Sequence, residues 1–585
     1  MTQLYESRFE RSLDAMTREL LARGAGTAAE LWVFEPEPRR RLIERRLAAT
    51  GVAARVRSAF KPLLHVFLEE VDREGLGEVE IAYPVHHSAA PNRFLLECYP
   101  LAGLLDGVAS SFRASKGEDL YYELRLHYLD GRVDEMRVFA PNRLYVDHAG
   151  EEVLAPTGWL RLVSPGAAPE EHRVETEFER IFAETLRIAA AREWGDVEPF
   201  FDRLLVEVGL PADDTPLGFG EEVVSFREAL HEDLYFSLLE LFQKKTGREL
   251  GDRGIRPGMI VPDVRMSAEP SLSISIGEGA IDLPESPGLV PLAESRAPLS
   301  EASVHEELAR IEGRAFEARS REGRVVKAVY RSGTDAAVMI SGGQHANETT
   351  GVVGALRAAR ELARRPGAHF SVSPLENPDG YALHHALRAA NPAHMHHAAR
   401  YTAFGNDLEY HLDDALYERE LREKARELTG ALFHINLHGY PSHEWTRPLT
   451  GYVPRGFASW MLPHGFYLVM RHHPGWGERA ARLVELVTWR LAAVPGLRAF
   501  TESQLQLYET HTGAKGFELV NGFPCDFTED ERTSIPLRLI TEYPDETIGG
   551  EAFLRGHSAQ MEAVLAAYEA FQVIMADEAS KGSAS

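Results

Sequence analysis

Cysteine is nearly absent from this chain of 585 residues, with Cys98 and Cys525 the only two. Two thiols cannot build the disulfide framework on which small secreted folds depend, although they could in principle pair; packed thiols in a reducing compartment are the expectation. Long apolar runs are missing as well. No stretch approaches the ~18 uninterrupted apolar residues of a membrane span. The N-terminus, MTQLYESRFERSLDAM, carries acids where a secretory leader has a basic stretch followed by an apolar one. A cytoplasmic location without membrane attachment is expected. Positive charge is also in short supply: 63 Lys and Arg face 89 Asp and Glu, a formal charge of −26. Such a surface repels phosphate backbones and anionic headgroups, which argues against a nucleic-acid partner. Nothing in the sequence sets an oligomeric state.

What remains is an ordinary water-soluble composition, 44% apolar and 26% charged, at a length that points to roughly two to four domains. Residues 1–24 and 37–75 show helical apolar spacing, whereas 77–84, 120–139 and 143–163 alternate as half-buried strands do. An α+β N-terminal domain over 1–168 is the natural reading. From 169 to about 250 the spacing is helical again, with Ser225 as an N-cap, so 169–295 reads as a mainly helical segment and linker. Prolines, a glycine and acids crowd LPESPGLVPLAESRAPL, residues 283–299, the best candidate boundary. The end, EASKGSAS, reads as a frayed tail. Beyond 296 the rhythm is strand, loop, helix, repeated, as in an α/β domain.

Four apolar strands in that last part run into polar clusters: Ala336–Ile340 into SGGQHANETTG, Phe370 onward into ENPDGY, Leu432–Leu437 into HGYPSHEW, and Pro536–Thr541 into EYPDE. Open α/β sheets place their ligand sites at the C-terminal ends of strands. His345 in a Gly-rich loop and Glu348 at the start of the next helix are three residues apart, so they turn to one side. His438, ending another strand, is the most plausible third ligand. Two imidazoles and one carboxylate, with a fourth position for water, form a ligand set of catalytic zinc. One Zn2+ per chain is the expected cofactor.

These segments resemble the zinc metallocarboxypeptidase family over roughly residues 300–575. Gly-Gly-Gln-His345-Ala-Asn-Glu348 is similar to its first ligand motif, Asn377-Pro-Asp-Gly-Tyr381 to its N-P-D-G-Y segment, Leu437-His438-Gly-Tyr440 to its third-ligand strand end, and Thr541-Glu542-Tyr-Pro-Asp-Glu to the strand of its catalytic glutamate. The resemblance implies an α/β/α sandwich around a mixed, mostly parallel sheet. It also implies hydrolysis of a peptide or related amide by metal-activated water, with Glu542 as general base.

One segment departs from the family. Its Asn-Arg pair holds the substrate carboxylate, but Gly405-Asn406-Asp407-Leu408-Glu409-Tyr410-His411 puts Glu409 and Tyr410 there. An acid repels a carboxylate that an arginine fork would bind. Either Arg447 or Arg455 takes over, or the substrate lacks that carboxylate and Glu409 receives an amine. Tyr410, Tyr440, Arg447 and Tyr508 complete the expected substrate contacts. Arg400, ahead of Arg388, is the expected oxyanion stabiliser. The histidines at 384, 385, 394, 396 and 397 are broken by Pro392 and read as solvated or hydrogen-bonding; His443 and Glu444 read as cleft or supporting residues. The competing functions are an N-acyl amino acid deacylase of the aspartoacylase and succinylglutamate desuccinylase type, and a metal-free binding protein on a catalytic scaffold.

Overall fold

The strand Thr2–Arg8 pairs antiparallel with Ser271–Gly277, in a four-stranded sheet with Arg203–Leu210 and Met259–Met266. The start of the chain is therefore bound to a strand far along it. The computed structural model describes residues 1–117, 119–163, 170–281, 290–411, 415–457 and 460–582.

Several N-terminal expectations need correction. Helical spacing over 1–24 belongs only to Ser12–Arg23, and that over 37–75 is interrupted by the strand Ala53–Ser58. The 169–295 stretch, expected to be mainly helical, contains the strands Glu170–Val174, Arg203–Leu210, Met259–Met266 and Ser271–Gly277. Met259–Val264 is buried residue after residue. A short apolar run buried on both faces has no alternation to distinguish it from a helix. In the 283–299 stretch, 282–289 lie outside the described residues, and Leu292 already packs in the C-terminal core. The final helix continues to Gly582, where a frayed tail was expected; 583–585 lie outside the described residues.

Helix α1 (Phe226–Lys245) joins the two halves. Ser225 Oγ accepts the Glu228 amide at 3.1 Å, the N-cap its sequence predicts. Three of its four buried acids find hydrogen-bonding partners in the C-terminal half, Glu232 being the exception. Asp233 accepts the Leu449 amide at 2.8 Å and the Thr450 hydroxyl at 2.6 Å; Glu240 takes Arg447 and Arg455, each at 2.9 Å; Glu228 takes His443 at 2.8 Å. Buried charge is stable only when paired in this way. Phe226 and Leu230 share an apolar core with Leu383, Trp445 and Leu449.

The C-terminal half is an α/β fold on a nine-stranded mixed sheet. Its strands are β1 (Arg314–Arg319), β2 (Val325–Arg331), β3 (Val338–Gly342), β4 (Phe370–Ser373), β5 (Phe433–Tyr440), β6 (Tyr467–His472), β7 (Glu518–Val520), β8 (Phe523–Glu529) and β9 (Leu537–Pro544). Their order is β1-β2-β4-β3-β5-β9-β6-β8-β7. The central run from β4 through β3 and β5 to β9 is parallel. Helices α2 (Thr350–Ala363), α5 (Gly477–Leu491) and α6 (Gly550–Gly582) pack on one face, and α4 (Glu420–Thr429) packs on the other; α3 (Pro378–Ala390) leads toward the site. No described helix is long and apolar enough to cross a membrane, and Cys98 and Cys525 are buried and free.

Candidate metal centre and substrate cavity

Strand β3 ends at Gly342, and the chain turns sharply before α2 begins at Thr350. Gly343 makes the turn with φ +61°, and a Cβ there would lie 2.9 Å from the Leu375 side chain and 3.2 Å from its Cα. Only glycine fits this left-handed, crowded position. His345 and Glu348 both lie in this turn, so Glu348 precedes the helix it was expected to start.

His438 lies within β5 rather than beyond its end. His345 Nδ1 is 2.8 Å from Glu348 Oε1 and 2.9 Å from His438 Nδ1, and His438 Nδ1 is 2.9 Å from Glu348 Oε2. All three side chains are buried. Glu348 Oε2 has no hydrogen bond, and two imidazole nitrogens face one another beside a carboxylate. Protons alone satisfy this arrangement poorly, whereas a cation satisfies all three donors, so the residues fit a zinc ion. Burial raises the Glu348 pKa, but His345, Arg400 and His438 outweigh it and hold the carboxyl well below its ordinary value. Burial lowers His438 to about 4. On its far side His345 Nε2 lies 3.4 Å from Asp407 Oδ2, and Gln344 donates to Asp407 at 2.9 Å. A carboxylate behind a ligating histidine fixes ring orientation.

Glu542 stands on β9 in register with His438 on β5 and lines the same cavity of about 270 Å³. Its carboxylate makes no hydrogen bond or ion pair with another described residue. Burial, then the Glu348 charge, pushes its pKa well above the usual carboxylate range. Asp545 is held instead by the Thr350 amide and hydroxyl, and Gly439 leaves room for it: a Cβ there would sit 1.9 Å from Asp545 Oδ1.

Arg400 reaches the site and donates to Glu348, with Glu546 Oε1 at 3.4 Å. Asn377 explains its position. Its Oδ1 caps α3 by accepting the Gly380 amide at 2.9 Å, while its Nδ2 donates to the Tyr401 carbonyl at 2.9 Å. The N-P-D-G-Y segment thus acts from behind: Asp379 accepts Ser320 at 2.7 Å and Tyr381 donates to the Leu299 carbonyl at 2.7 Å.

The structure brings Glu409, Tyr410 and Tyr440 to the cavity but not Arg447 or Tyr508. Arg447 is buried against α1, donating to its Glu240 and Ser237, and Arg455 is taken by Asp147 and Glu240. Tyr508 packs against His464 and Phe517. Glu409 is no open amine receptor. Its oxygens accept Arg538 at 2.7 Å and Arg422 at 2.9 Å, and these arginines outweigh burial to hold its pKa below normal. The Tyr440 hydroxyl is also spent, donating to the Gly465 carbonyl at 2.7 Å and accepting the His464 amide at 3.0 Å; only its ring is offered. His443 and Glu444 bind Glu228 and Lys61 of the N-terminal half instead of lining the cleft. Of the histidine run, 384, 394, 396 and 397 are buried rather than solvated and His385 is half-buried; the expected hydrogen bonds join His394 to Asp214 at 2.8 Å, His396 to the Asn391 carbonyl at 2.9 Å and His385 to the Leu299 carbonyl at 3.1 Å.

Sequence reasoning missed other parts of the wall. His397 stacks on Trp445 at 5.0 Å, and Phe457, Trp460 and Tyr467 add apolar surface. Arg253 arrives from the N-terminal half. Asp407 lay in the Gly405–His411 segment already singled out for substrate contact; Arg253 carried no signal.

No family model and no curated protein sequence matches the chain. Solved structures similar to it include a metallo-carboxypeptidase from Burkholderia cenocepacia (16% identity, 52% of this chain and 73% of that one, TM-score 0.29). Another is a metallo-carboxypeptidase from Pseudomonas aeruginosa in complex with (2-guanidinoethylmercapto)succinic acid (14% identity, 52% and 72%, TM-score 0.29). A third is carboxypeptidase A from Helicoverpa armigera (10% identity, 47% and 72%, TM-score 0.29).

Proposed function

We propose that this chain is a zinc-dependent hydrolase of a peptide or related amide bond, carboxypeptidase-like in chemistry and non-standard in specificity. The observation that carries this reading is the convergence of His345, Glu348 and His438 beside the unengaged carboxylate of Glu542. Held by those three side chains, zinc would supply Lewis acidity toward a water and a carbonyl oxygen. Glu542 accepts the proton of the attacking water and returns it to the leaving nitrogen. Arg400, whose backbone neighbour Tyr401 is held by Asn377, is the residue we assign to meet negative charge developing on the carbonyl oxygen, its approach to Glu348 keeping it beside the ligands. Asp407 keeps the His345 ring in its orientation.

A cavity of about 270 Å³ accepts a small molecule or the end of a peptide. Its small size also favours, as a second reading, an N-acyl amino acid as substrate. Hydrolysis rates on N-blocked dipeptides and on N-acyl amino acids, measured side by side, separate the two. Cleavage of the dipeptides at the higher kcat/KM supports the peptidase reading, and the reverse order supports the deacylase. Turnover of neither class by the zinc-loaded protein contradicts the hydrolase reading.

A further inference from the structure

Three arginines face the metal cavity: Arg253, Arg400 and Arg471. Arg400 is engaged by Glu348 and Glu546, and Arg471 lies 3.6 Å from Asp530 and 3.9 Å from Glu409. Arg253 has neither a carboxylate partner nor a side-chain hydrogen bond among the described residues. It reaches the cavity mouth from the loop after α1, its guanidinium carbon 5.7 Å from the Tyr410 ring centroid and 5.4 Å from that of Phe457. Arg532, from the C-terminal half, lies over the same Tyr410 ring at 5.1 Å but does not line the cavity, so Arg253 is the arginine that this aromatic pair presents to it.

We propose that Arg253 is a specificity-determining residue that binds a carboxylate of the substrate. The inference rests on the hydrolytic reading of this site and names its substrate class. Stacking on aromatic faces restrains a guanidinium and leaves its edge of N–H donors open for bidentate contact with a carboxylate. Among the described residues no cavity carboxylate comes within ion-pair distance of Arg253: Asp407 faces Gln344 and His345, and Glu409 accepts Arg422 and Arg538. Arg253 also borders a side recess with Tyr401, Asn406 and Phe457, whose acids Glu240 and Asp252 are paired with other arginines. The carboxylate belongs either to the end of a peptide or to an acidic side chain.

The test is calorimetric titration of the full-length, zinc-loaded Glu542→Gln protein, with and without Arg253→Ala or Arg253→Lys. Three probes serve: acetyl-phenylalanine, with a terminal carboxylate; acetyl-glutamate α-amide, with a side-chain carboxylate; and neutral acetyl-phenylalaninamide. A charge-assisted contact predicts that at least one acid binds about tenfold or more tightly than the neutral probe. Arg253→Ala should bring that ratio close to one, and Arg253→Lys should restore part of it. Which acid is preferred identifies the source of the carboxylate. No preference in the parent protein, or an undiminished preference in a folded Arg253→Ala variant because the metal alone attracts the acid, overturns the proposal. Hydrolysis of the probes during titration would count against Glu542 as the base and leave the Arg253 comparison intact.

Discussion

His438 and Glu542 occupy paired positions on the adjacent parallel strands β5 and β9, a metal-ligand candidate beside a carboxylate that no other described residue engages. Paired residues in a sheet project to the same side. The register therefore holds the expected ligand and the expected base together.

Chelation should expose the linkage between metal and fold. The three donors are buried, and their convergence is relieved by a cation, so zinc should bind the folded chain and not the unfolded one. At a free zinc concentration about a hundredfold above Kd, the added stability is about 2.7 kcal/mol. Removing zinc with a chelator should lower the melting midpoint of the parent protein and leave that of His438→Ala nearly unchanged. Equal shifts in both would show that zinc acts elsewhere.

Arg447 was expected to contact substrate but spans the interface between the halves. Its side chain is 2% exposed and serves Glu240, with Asp233 at 4.0 Å. Arg447→Ala should remove the distant cation of Asp233 and one of the two arginines on Glu240, leaving Arg455, at a cost of about 1–3 kcal/mol. Urea denaturation measures this, and the folded fraction should keep its substrate preference. A variant of parental stability with a changed preference would restore Arg447 as a substrate contact.

The pH dependence of His464 has a defined sign. The ring stacks 4.4 Å from Tyr440, and burial lowers its pKa from 6.5 to about 4. The fold holds it neutral, while the unfolded chain takes up a proton below 6.5. Its contribution to stability is complete above about pH 6.5 and shrinks as pH falls toward 4, by about 1.4 kcal/mol per pH unit. The stability difference between the parent and His464→Phe, measured by denaturation from pH 7 to 5, should move against the parent as the solution is acidified. A difference independent of pH would contradict a buried neutral histidine.

The site was legible where its parts are local. Strand-to-loop transitions marked His345, Glu348 and His438, because a short apolar run followed by polar residues needs no knowledge of distant partners. Glu409 was misread for the opposite reason: its charge is set by Arg422 on α4 and Arg538 on β9, and no spacing announces such pairs. The N-terminal strands were lost to helical readings because their partners lie far away, as with Thr2–Arg8 and Ser271–Gly277. Arg253 was invisible in the same way, since only the packing of one half on the other takes it to the cavity.

The central claim is tested most directly by measuring zinc content and turnover together in the parent, His438→Ala and Glu542→Gln proteins. About one zinc per chain is expected in the parent and in Glu542→Gln, little in His438→Ala, and a kcat for Glu542→Gln lowered by about 10²–10⁴-fold despite its full metal load. Parental turnover in Glu542→Gln, or undiminished zinc in His438→Ala, would contradict it.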